Sequence, residues 1–258
     1  MDLMTAQKAR PAAEATLDTT AGFTAIAQPR AHDFVVEQIR RQIALGIIAP
    51  GSALPTEREL MKIFGVGRVT VQLAIGQLEA EHIIETRRGR SGGSFVKSIE
   101  DDSRALDLRV VELRRDAERV LQAAEYRRLL EPEATALAAT TLRRPQLSRL
   151  GTIIERTAQA SDDAEFMRWD TAFHLAIAEA TGNRFVLEAL ERVRLELNPA
   201  LQLLPDTRVW HELSVEEHRG IADALAAKDG DTARQLMATH IAHAEQSIRS
   251  LLKSLSRR

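Results

Sequence analysis

The sequence predicts a mostly α-helical protein in two parts: a small N-terminal domain over residues 31–98 and an all-helical bundle of six or seven helices over residues 113–258. Three observations support this fold class. Apolar residues recur at helical spacing through most of the chain, and strand-like segments are confined to a short stretch before residue 98. Aromatic residues make up only 4% of the chain, so aliphatic side chains must build the cores.

The composition excludes several classes of protein. The chain has 258 residues, enough for two domains, and no cysteine, which excludes disulfides, thiolate metal sites and cysteine nucleophiles. No apolar run approaches the roughly 20 residues that cross a bilayer, and the N terminus lacks the apolar core of a signal peptide. We therefore expect a cytoplasmic protein with no membrane partner.

Two segments have little helical periodicity. Residues 1–30 are rich in Ala, Thr and Pro, which predicts a disordered tail. Residues 99–112 begin with a polar, acidic run, which predicts a linker between the two domains.

Residues 56–96 predict a helix, a tight turn, a second helix and a two-stranded hairpin. Thr56 and Glu59 form the capping-box pattern at the start of the first helix, and glycines at 65 and 67 break that helix. The second helix buries apolar side chains at i, i+3, i+4 and i+7 spacing, namely Val71, Ala74, Ile75 and Leu78. Two helices joined this way are the helix-turn-helix that inserts into DNA.

The hairpin tip is basic, although the chain is not. Net charge is −2 overall, but residues 31–98 carry +2 and residues 99–258 carry −4. Arg87, Arg88 and Arg90 lie at the glycine-rich tip, where they suit a phosphate backbone or a minor groove. The alternative is a small helical packing motif with a solvated basic loop.

At these residues the sequence resembles a known family. The runs LPTEREL, FGVGRVTV and RRGRSGGSFV are similar to the winged helix-turn-helix of GntR-family bacterial transcription regulators. The resemblance implies DNA contacts from Arg58, Arg68, Thr70 and the basic tip. The chain departs from the family at Gly67, where Ser or Thr is usual, and at Gln72, where a guanine-reading Arg is usual. A glutamine has the geometry to pair with adenine instead.

The helical half places four metal-ligand side chains on apolar helix faces. They are Asp170, His174, His218 and His240. Burying a carboxylate or an imidazole without a partner costs roughly several kcal/mol, so these side chains need one another or a ligand. One carboxylate and three imidazoles form a ligand set for a divalent metal ion of the Zn²⁺, Ni²⁺ or Mn²⁺ type. The alternative for each histidine alone is a core residue with an internal partner.

Short motifs extend the resemblance to the second half. DxxxH at 170–174, EEHR at 216–219 and MATHI at 237–241, in that order behind a GntR wing, resemble the FCD domain of the FadR subfamily. The resemblance implies a metal held by the four side chains named above, at the floor of a pocket for a small carboxylate.

Two further residues are candidates for binding an effector. Arg127 shares an inward face with Glu131, so it either captures a carboxylate or forms an internal ion pair. Asn183 is either a helix-end residue or an effector donor, and the resemblance favours the donor.

Taken together, these features predict a DNA-binding transcription regulator, not an enzyme. We expect a homodimeric repressor on a pseudo-palindromic operator, released or retained by a small organic or sugar acid. Two alternatives stay open: a metal-dependent hydrolase or lyase, and a purely structural metal in the bundle.

Overall fold

The computed structural model describes residues 30–89, 92–97, 103–204 and 207–256. Within these residues the chain forms ten helices and two strands, which confirms the predicted mostly helical class. The elements are α1 (Ala31–Ala44), α2 (Glu57–Phe64), α3 (Arg68–Ala80), β1 (Ile84–Arg87), β2 (Gly93–Val96), α4 (Ser103–Arg115), α5 (Ala117–Thr141), α6 (Arg144–Ala158), α7 (Asp163–Ala180), α8 (Arg184–Leu201), α9 (Thr207–Ala226) and α10 (Gly230–Leu255).

The predicted capping box starts α2. The hydroxyl of Thr56 accepts the backbone N–H of Glu59, and the Glu59 carboxylate accepts the backbone N–H of Thr56 at 2.8 Å. Gly65 then ends α2 in the left-handed conformation, at φ +64°. Gly67 is the N-cap of α3 and has no side chain to accept an N–H group of that helix. The short turn therefore sets α3 across α2, as in a helix-turn-helix.

The N-terminal domain has its own apolar core. Strands β1 and β2 pair antiparallel, with Ile84 opposite Val96 and Arg87 opposite Gly93. The core joins α1, α2, α3 and the hairpin through buried aliphatic side chains, namely Val35, Val36, Ile39, Leu54, Leu60, Val71, Ala74, Leu78, Ile84 and Val96. Because the two strands pack on the helices, the exposed Arg87 and Arg88 lie on a hairpin that is held by the domain core.

Seven helices, α4 to α10, form the bundle in the described part of the chain after the hairpin. Helix α5 packs against α10, α8 and α7, while α6 packs against α7 and α9. The interior is a single cluster of mostly Leu, Ile, Val and Ala side chains, with Phe166 and Phe173 as its buried aromatic members. The bundle therefore brings residues distant in sequence to one centre.

Helix α4 begins inside the predicted linker, residues 99–112. From Ser103 the chain is already in α4, which continues to Arg115. Leu113 of this helix is buried in the bundle core, and α4 packs against α10, α5 and α8. In residues 107–115 most side chains are exposed and Leu113 is buried, so the periodic apolar pattern of a buried helix is weak there.

Three further expectations concern other parts of the chain. The predicted tail, residues 1–30, lies outside the described residues except for Arg30, and Arg90 lies outside them as well. None of the described helices combines the length and the apolar composition that crossing a membrane requires.

Candidate metal centre and nucleic-acid interface

Helix α7 places two of the candidate metal ligands. Its start is capped by Asp162, whose side chain accepts the backbone N–H of Glu165 at 2.7 Å. Asp170 and His174 follow one helical turn apart on the face that also buries Phe173. Both side chains therefore point into the bundle interior.

The structure brings all four predicted ligands to one point. Asp170, His174, His218 and His240 each offer one ligand atom, and these atoms all lie within 4.8 Å of one another. Asp170 Oδ1 is 3.7 Å from His174 Nε2 and 3.6 Å from His218 Nε2. The Nε2 atoms of His174 and His240 are 3.3 Å apart. All four side chains are at most 3% exposed, so the cluster is closed to bulk water.

Two carboxylates lie behind the imidazoles, and the one behind His240 forms a hydrogen bond with its ring. His174 Nδ1 lies 2.7 Å from Glu131 Oε2, and His240 Nδ1 lies 2.7 Å from Glu217 Oε2. A carboxylate on one ring nitrogen fixes the ring and leaves the other nitrogen as the ligand atom. The arrangement therefore aims both Nε2 atoms at the centre.

His218 completes the cluster without such a partner. Neither of its ring nitrogens has a hydrogen-bond partner among the described residues, although the side chain is fully buried. Its ring stacks on Phe173, with centroids 3.9 Å apart. Burial, with the neighbouring His240, holds the pKa of His218 well below its usual value. Burial also lowers the pKa of His240. Both rings are thus in the neutral form that binds metal ions.

Two arginines balance the buried carboxylates. Arg194, which is fully buried, donates to Asp170 Oδ2 at 2.5 Å, and Arg127 donates to Glu131 Oε1 at 2.6 Å. Burial alone would raise the pKa of both carboxyl groups. The charges of Arg194 on Asp170 and of Arg127 on Glu131, with His174 near both, outweigh burial and hold both pKa values low. Both groups are therefore ionised.

Arg127 forms the internal ion pair that the sequence left as one of two options. It also approaches the centre, because its Nη2 lies 2.9 Å from His174 Nε2. The guanidinium of Arg127 thus already occupies the Nε2 lone pair of His174, which a metal ion would use. Arg127 would have to turn away from His174 for that nitrogen to bind a metal, and its Nη2 would then be free for another acceptor.

Asn183 has a different place. It is exposed and forms the N-cap of α8, where its Oδ1 accepts the backbone N–H of Phe185 at 3.0 Å. This is the helix-end arrangement, and its role toward an effector stays a prediction.

The donor set fits a divalent metal ion. Three imidazoles and one ionised carboxylate match the ligands of Zn²⁺, Ni²⁺ and Mn²⁺ sites. The unpartnered nitrogens of buried His218 are the strongest indication, since a buried polar atom without a partner destabilises a fold. A cation at the centre would satisfy the one that faces Asp170, Nε2.

On the N-terminal domain, one carboxylate accepts hydrogen bonds from two residues of α3 that are predicted to contact DNA. Glu57 Oε2 accepts from Arg68 Nε at 3.2 Å and from Gln72 Nε2 at 3.1 Å. Arg68 and Gln72 are exposed, as is Arg58 on α2, whereas Thr70 is half-buried. Since a carboxylate only accepts, the Gln72 amide must turn its nitrogen toward Glu57 and leave its oxygen outward.

The hairpin holds the predicted basic tip. Arg87 and Arg88 are exposed, and the guanidinium of Arg87 lies 4.6 Å from the ring centroid of Phe95 on the opposite strand. Arg87 also pairs with Glu85 on its own strand. The third predicted tip residue, Arg90, lies outside the described residues. Stacking on Phe95 fixes the direction of Arg87 without neutralising it.

Two residues of the site, Arg194 and Glu217, were not predicted from the sequence. Arg194 lies among Leu190, Val193 and Leu197 on the buried face of α8, so the helical periodicity that indicates the three histidines indicates Arg194 as well. Glu217 gives no such indication, because it precedes His218 and contacts His240 from another helix.

Comparison with known proteins finds a family match in each half of the chain. Residues 31–96 match the family described as bacterial regulatory proteins, gntR family, and residues 122–243 match the FCD domain. These are the segments that carry the exposed arginines of α2 and α3 and the buried cluster, respectively.

Relatives cover most of the chain. The Uxu operon regulator of Haemophilus influenzae is 30% identical over 222 residues, covering 82% of this chain and 79% of that protein. The HTH-type transcriptional repressor NanR of Klebsiella aerogenes is 26% identical over 232 residues, covering 89% of each. Among solved structures, E. coli McbR/YncC has the same fold, with 22% identity, a TM-score of 0.52, and coverage of 87% of this chain and 98% of that one. The chain therefore belongs to the GntR family of bacterial regulatory proteins, carries an FCD domain, and is a DNA-binding transcription regulator, not an enzyme.

Proposed function

We propose that this regulator is a repressor whose operator binding is controlled by a small carboxylate at a divalent metal ion in the helical domain. The observation that carries the proposal is the closed cluster of Asp170, His174, His218 and His240, whose ligand atoms lie within 4.8 Å of one another. The repressor sign is supported by the relatives that bear the name NanR, which are described as transcriptional repressors.

The four side chains of the cluster would hold the metal, which is of the Zn²⁺, Ni²⁺ or Mn²⁺ type. When bound, it supplies a positive charge and open coordination positions for a carboxylate. Glu131 and Glu217 keep His174 and His240 in the tautomer that offers Nε2.

The effector in this proposal is a small organic or sugar acid. Arg127 is the side chain best placed to add a second contact, since its Nη2 reaches the centre but has only an imidazole nitrogen as partner there. A guanidinium binds carboxylates through two parallel hydrogen bonds. Asn183 is a weaker candidate, because it is exposed at the N-terminus of α8, whereas the cluster is buried.

The operator in this proposal is pseudo-palindromic and is bound by a homodimer, since a two-fold protein matches two-fold DNA. Helix α3 would enter the major groove, with contacts from Arg58, Arg68, Thr70 and Gln72. The hairpin tip would follow the backbone or the minor groove through its arginines, Arg87, Arg88 and Arg90.

A thermal-shift panel tests this proposal. The full chain is stripped with a chelator, reloaded with Zn²⁺, Ni²⁺ or Mn²⁺, and melted with and without small organic and sugar acids. A ligand at about a hundred times its Kd adds about 2.7 kcal/mol, which raises the Tm by several degrees. We expect an acid-dependent rise that requires the metal.

The competing function for the cluster is a metal that only stabilises the bundle. Four protein ligands in a closed site are typical of structural zinc. In that case chelation would lower the Tm, but no acid would change it. His218→Ala should abolish every metal-dependent shift, whereas His32→Ala, on α1 of the other domain, should leave each shift intact. A protein that responds to neither metal nor acid would overturn the proposal.

A further inference from the structure

The C-terminal end of α1 depends on the helical domain for one of its hydrogen bonds. The last four carbonyls of a helix lack partners within it. Those of Arg41, Gln42 and Ile43 accept backbone N–H groups of the turn that follows. The fourth, that of Ala44, accepts the side-chain amide of Asn198 on α8 at 3.2 Å.

From Asn198 a line of polar contacts leads to the metal centre. Asn198 Nδ2 lies 3.2 Å from Thr171 Oγ1, which accepts from Arg194 Nη2 at 2.8 Å. The same Arg194 Nη2 donates to Asp170 Oδ2 at 2.5 Å. All four side chains are at most 2% exposed. Since water does not reach them, a change in one contact must be taken up by the next.

Asp170 gives this line a direct connection to the cluster. One of its oxygens, Oδ1, faces His174 and His218, while the other, Oδ2, faces Arg194. A cation or acid that binds at Oδ1 changes the negative charge on Oδ2, and with it the strength of the contact between Oδ2 and Arg194. Among the described residues, the Nε and Nη1 atoms of Arg194 have no hydrogen-bond partner. No other contact through these atoms therefore replaces the one with Asp170.

At its other end the line meets the helix that supports α3. Val36 and Ile39 of α1 share one buried core with Val71 and Leu78 of α3. The α1 end is also tightly seated, since a Cβ at Gly46 would lie 3.2 Å from Arg168 Cα of α7. A small shift of the α1 end would therefore change the orientation of α3.

We infer that Asn198, acting through Thr171 and Arg194, is a positioning residue that couples the metal centre to the orientation of the winged-helix domain. This inference rests on the proposed function, because it takes the buried cluster as the site that responds to a ligand. It adds the residues through which the response reaches the DNA-binding domain.

Amide hydrogen exchange of the full chain tests the coupling with Zn²⁺ alone as the probe. In the natural sequence, Zn²⁺ should change exchange in residues 41–48 by about two- to tenfold, the range of one hydrogen bond. Asn198→Ala should remove that change while the Zn²⁺ Kd stays within about twofold, because the side chain is not a ligand. Glu191→Ala, which removes the ion pair with Arg41 but leaves the polar line intact, should keep the change.

The outcomes separate this inference from the proposed function. If Zn²⁺ binds but residues 41–48 do not respond, or if Asn198→Ala responds like the natural sequence, the coupling is wrong and the metal site stands. If Asn198→Ala does not fold, Thr171→Val breaks the same line one contact earlier and should give the same loss. If none of Zn²⁺, Ni²⁺ and Mn²⁺ binds, the proposed function fails, and Asp170→Asn then tests the line by itself. Unchanged exchange in residues 41–48 of Asp170→Asn would overturn the coupling too.

Discussion

Glu217 Oε2 lies 2.7 Å from His240 Nδ1, on the side of the ring opposite the nitrogen that faces the cluster. Glu217 also contacts His243, a surface histidine one turn further along α10. Burial would raise the pKa of Glu217, but the hydrogen bonds from His240 and His243 outweigh it and hold the pKa low. An ionised carboxylate thus orients a candidate metal ligand from outside the centre.

Glu217→Gln should weaken metal binding without removing a ligand. The amide oxygen of Gln is a weaker acceptor for the Nδ1–H of His240 than a carboxylate, and mutation of such a partner typically lowers metal affinity by about 10- to 100-fold. Competition titration of Zn²⁺ against a chelator measures the change. Glu216→Gln, at the neighbouring exposed carboxylate that pairs with Arg219, is the matched control and should bind as the natural sequence does. Equal affinities for Glu217→Gln and the control would show that Glu217 does not support the site.

Arg194→Met should destabilise the metal-free protein. Removing one partner of a buried ion pair leaves Asp170 uncompensated, which costs about 3–5 kcal/mol. Chemical denaturation measures the free energy of unfolding, and Arg192→Met, on the exposed face of the same helix, is the control. Zn²⁺ should restore part of the loss, since a bound cation would take over the charge compensation of Asp170. A loss that Zn²⁺ leaves unchanged would argue against a metal at Asp170.

Gln72 should specify an adenine in the operator. Its contact with Glu57 turns the amide oxygen outward, where it can accept the adenine amino group while the second amide hydrogen reaches N7. Gln72→Arg should shift the preferred base at that position toward guanine, by about 1–3 kcal/mol of discrimination. Binding to operators that carry each base at each position measures the preference. A uniform loss of affinity with the same preferred sequence would contradict base recognition by Gln72.

Arg87→Ala should weaken DNA binding nearly equally for all operator variants. The exposed guanidinium is suited to a phosphate contact, and losing one such contact lowers the slope of log K against log salt by about one. Affinity measured over a salt series tests this. Arg184→Ala, an exposed arginine of the helical domain, should leave the slope unchanged. A sequence-dependent loss for Arg87→Ala would place this residue at a base instead.

The features that could be predicted from the sequence are those set by local rules. The Thr56–Glu59 capping box and the glycine at 65 act within a few residues, and the structure has both. The inward faces of His174, His218 and His240 follow from helical periodicity, so their convergence was predictable without contacts.

What the sequence could not provide is contact between helices. Periodicity placed Arg127 inward but did not decide between its two partners, Glu131 and a ligand, because that choice depends on where α7 lies. Helical periodicity also did not indicate the hydrogen bond between Asn198 and the carbonyl of Ala44, because these residues lie in different domains. The helix from Ser103 was missed for a related reason, since its stability comes from packing of residues such as Leu113.

The bare glycine at the start of α3 has a consequence for how the protein meets DNA. Gly67 leaves the first N–H groups of that helix without a side-chain acceptor, at the positive end of the helix dipole. A phosphate oxygen is the acceptor such a helix end prefers. A phosphate of the operator would then accept the free N–H groups of α3, the helix that contacts the bases. The first turn of α3 would therefore be most rigid only when the protein is correctly bound to the duplex.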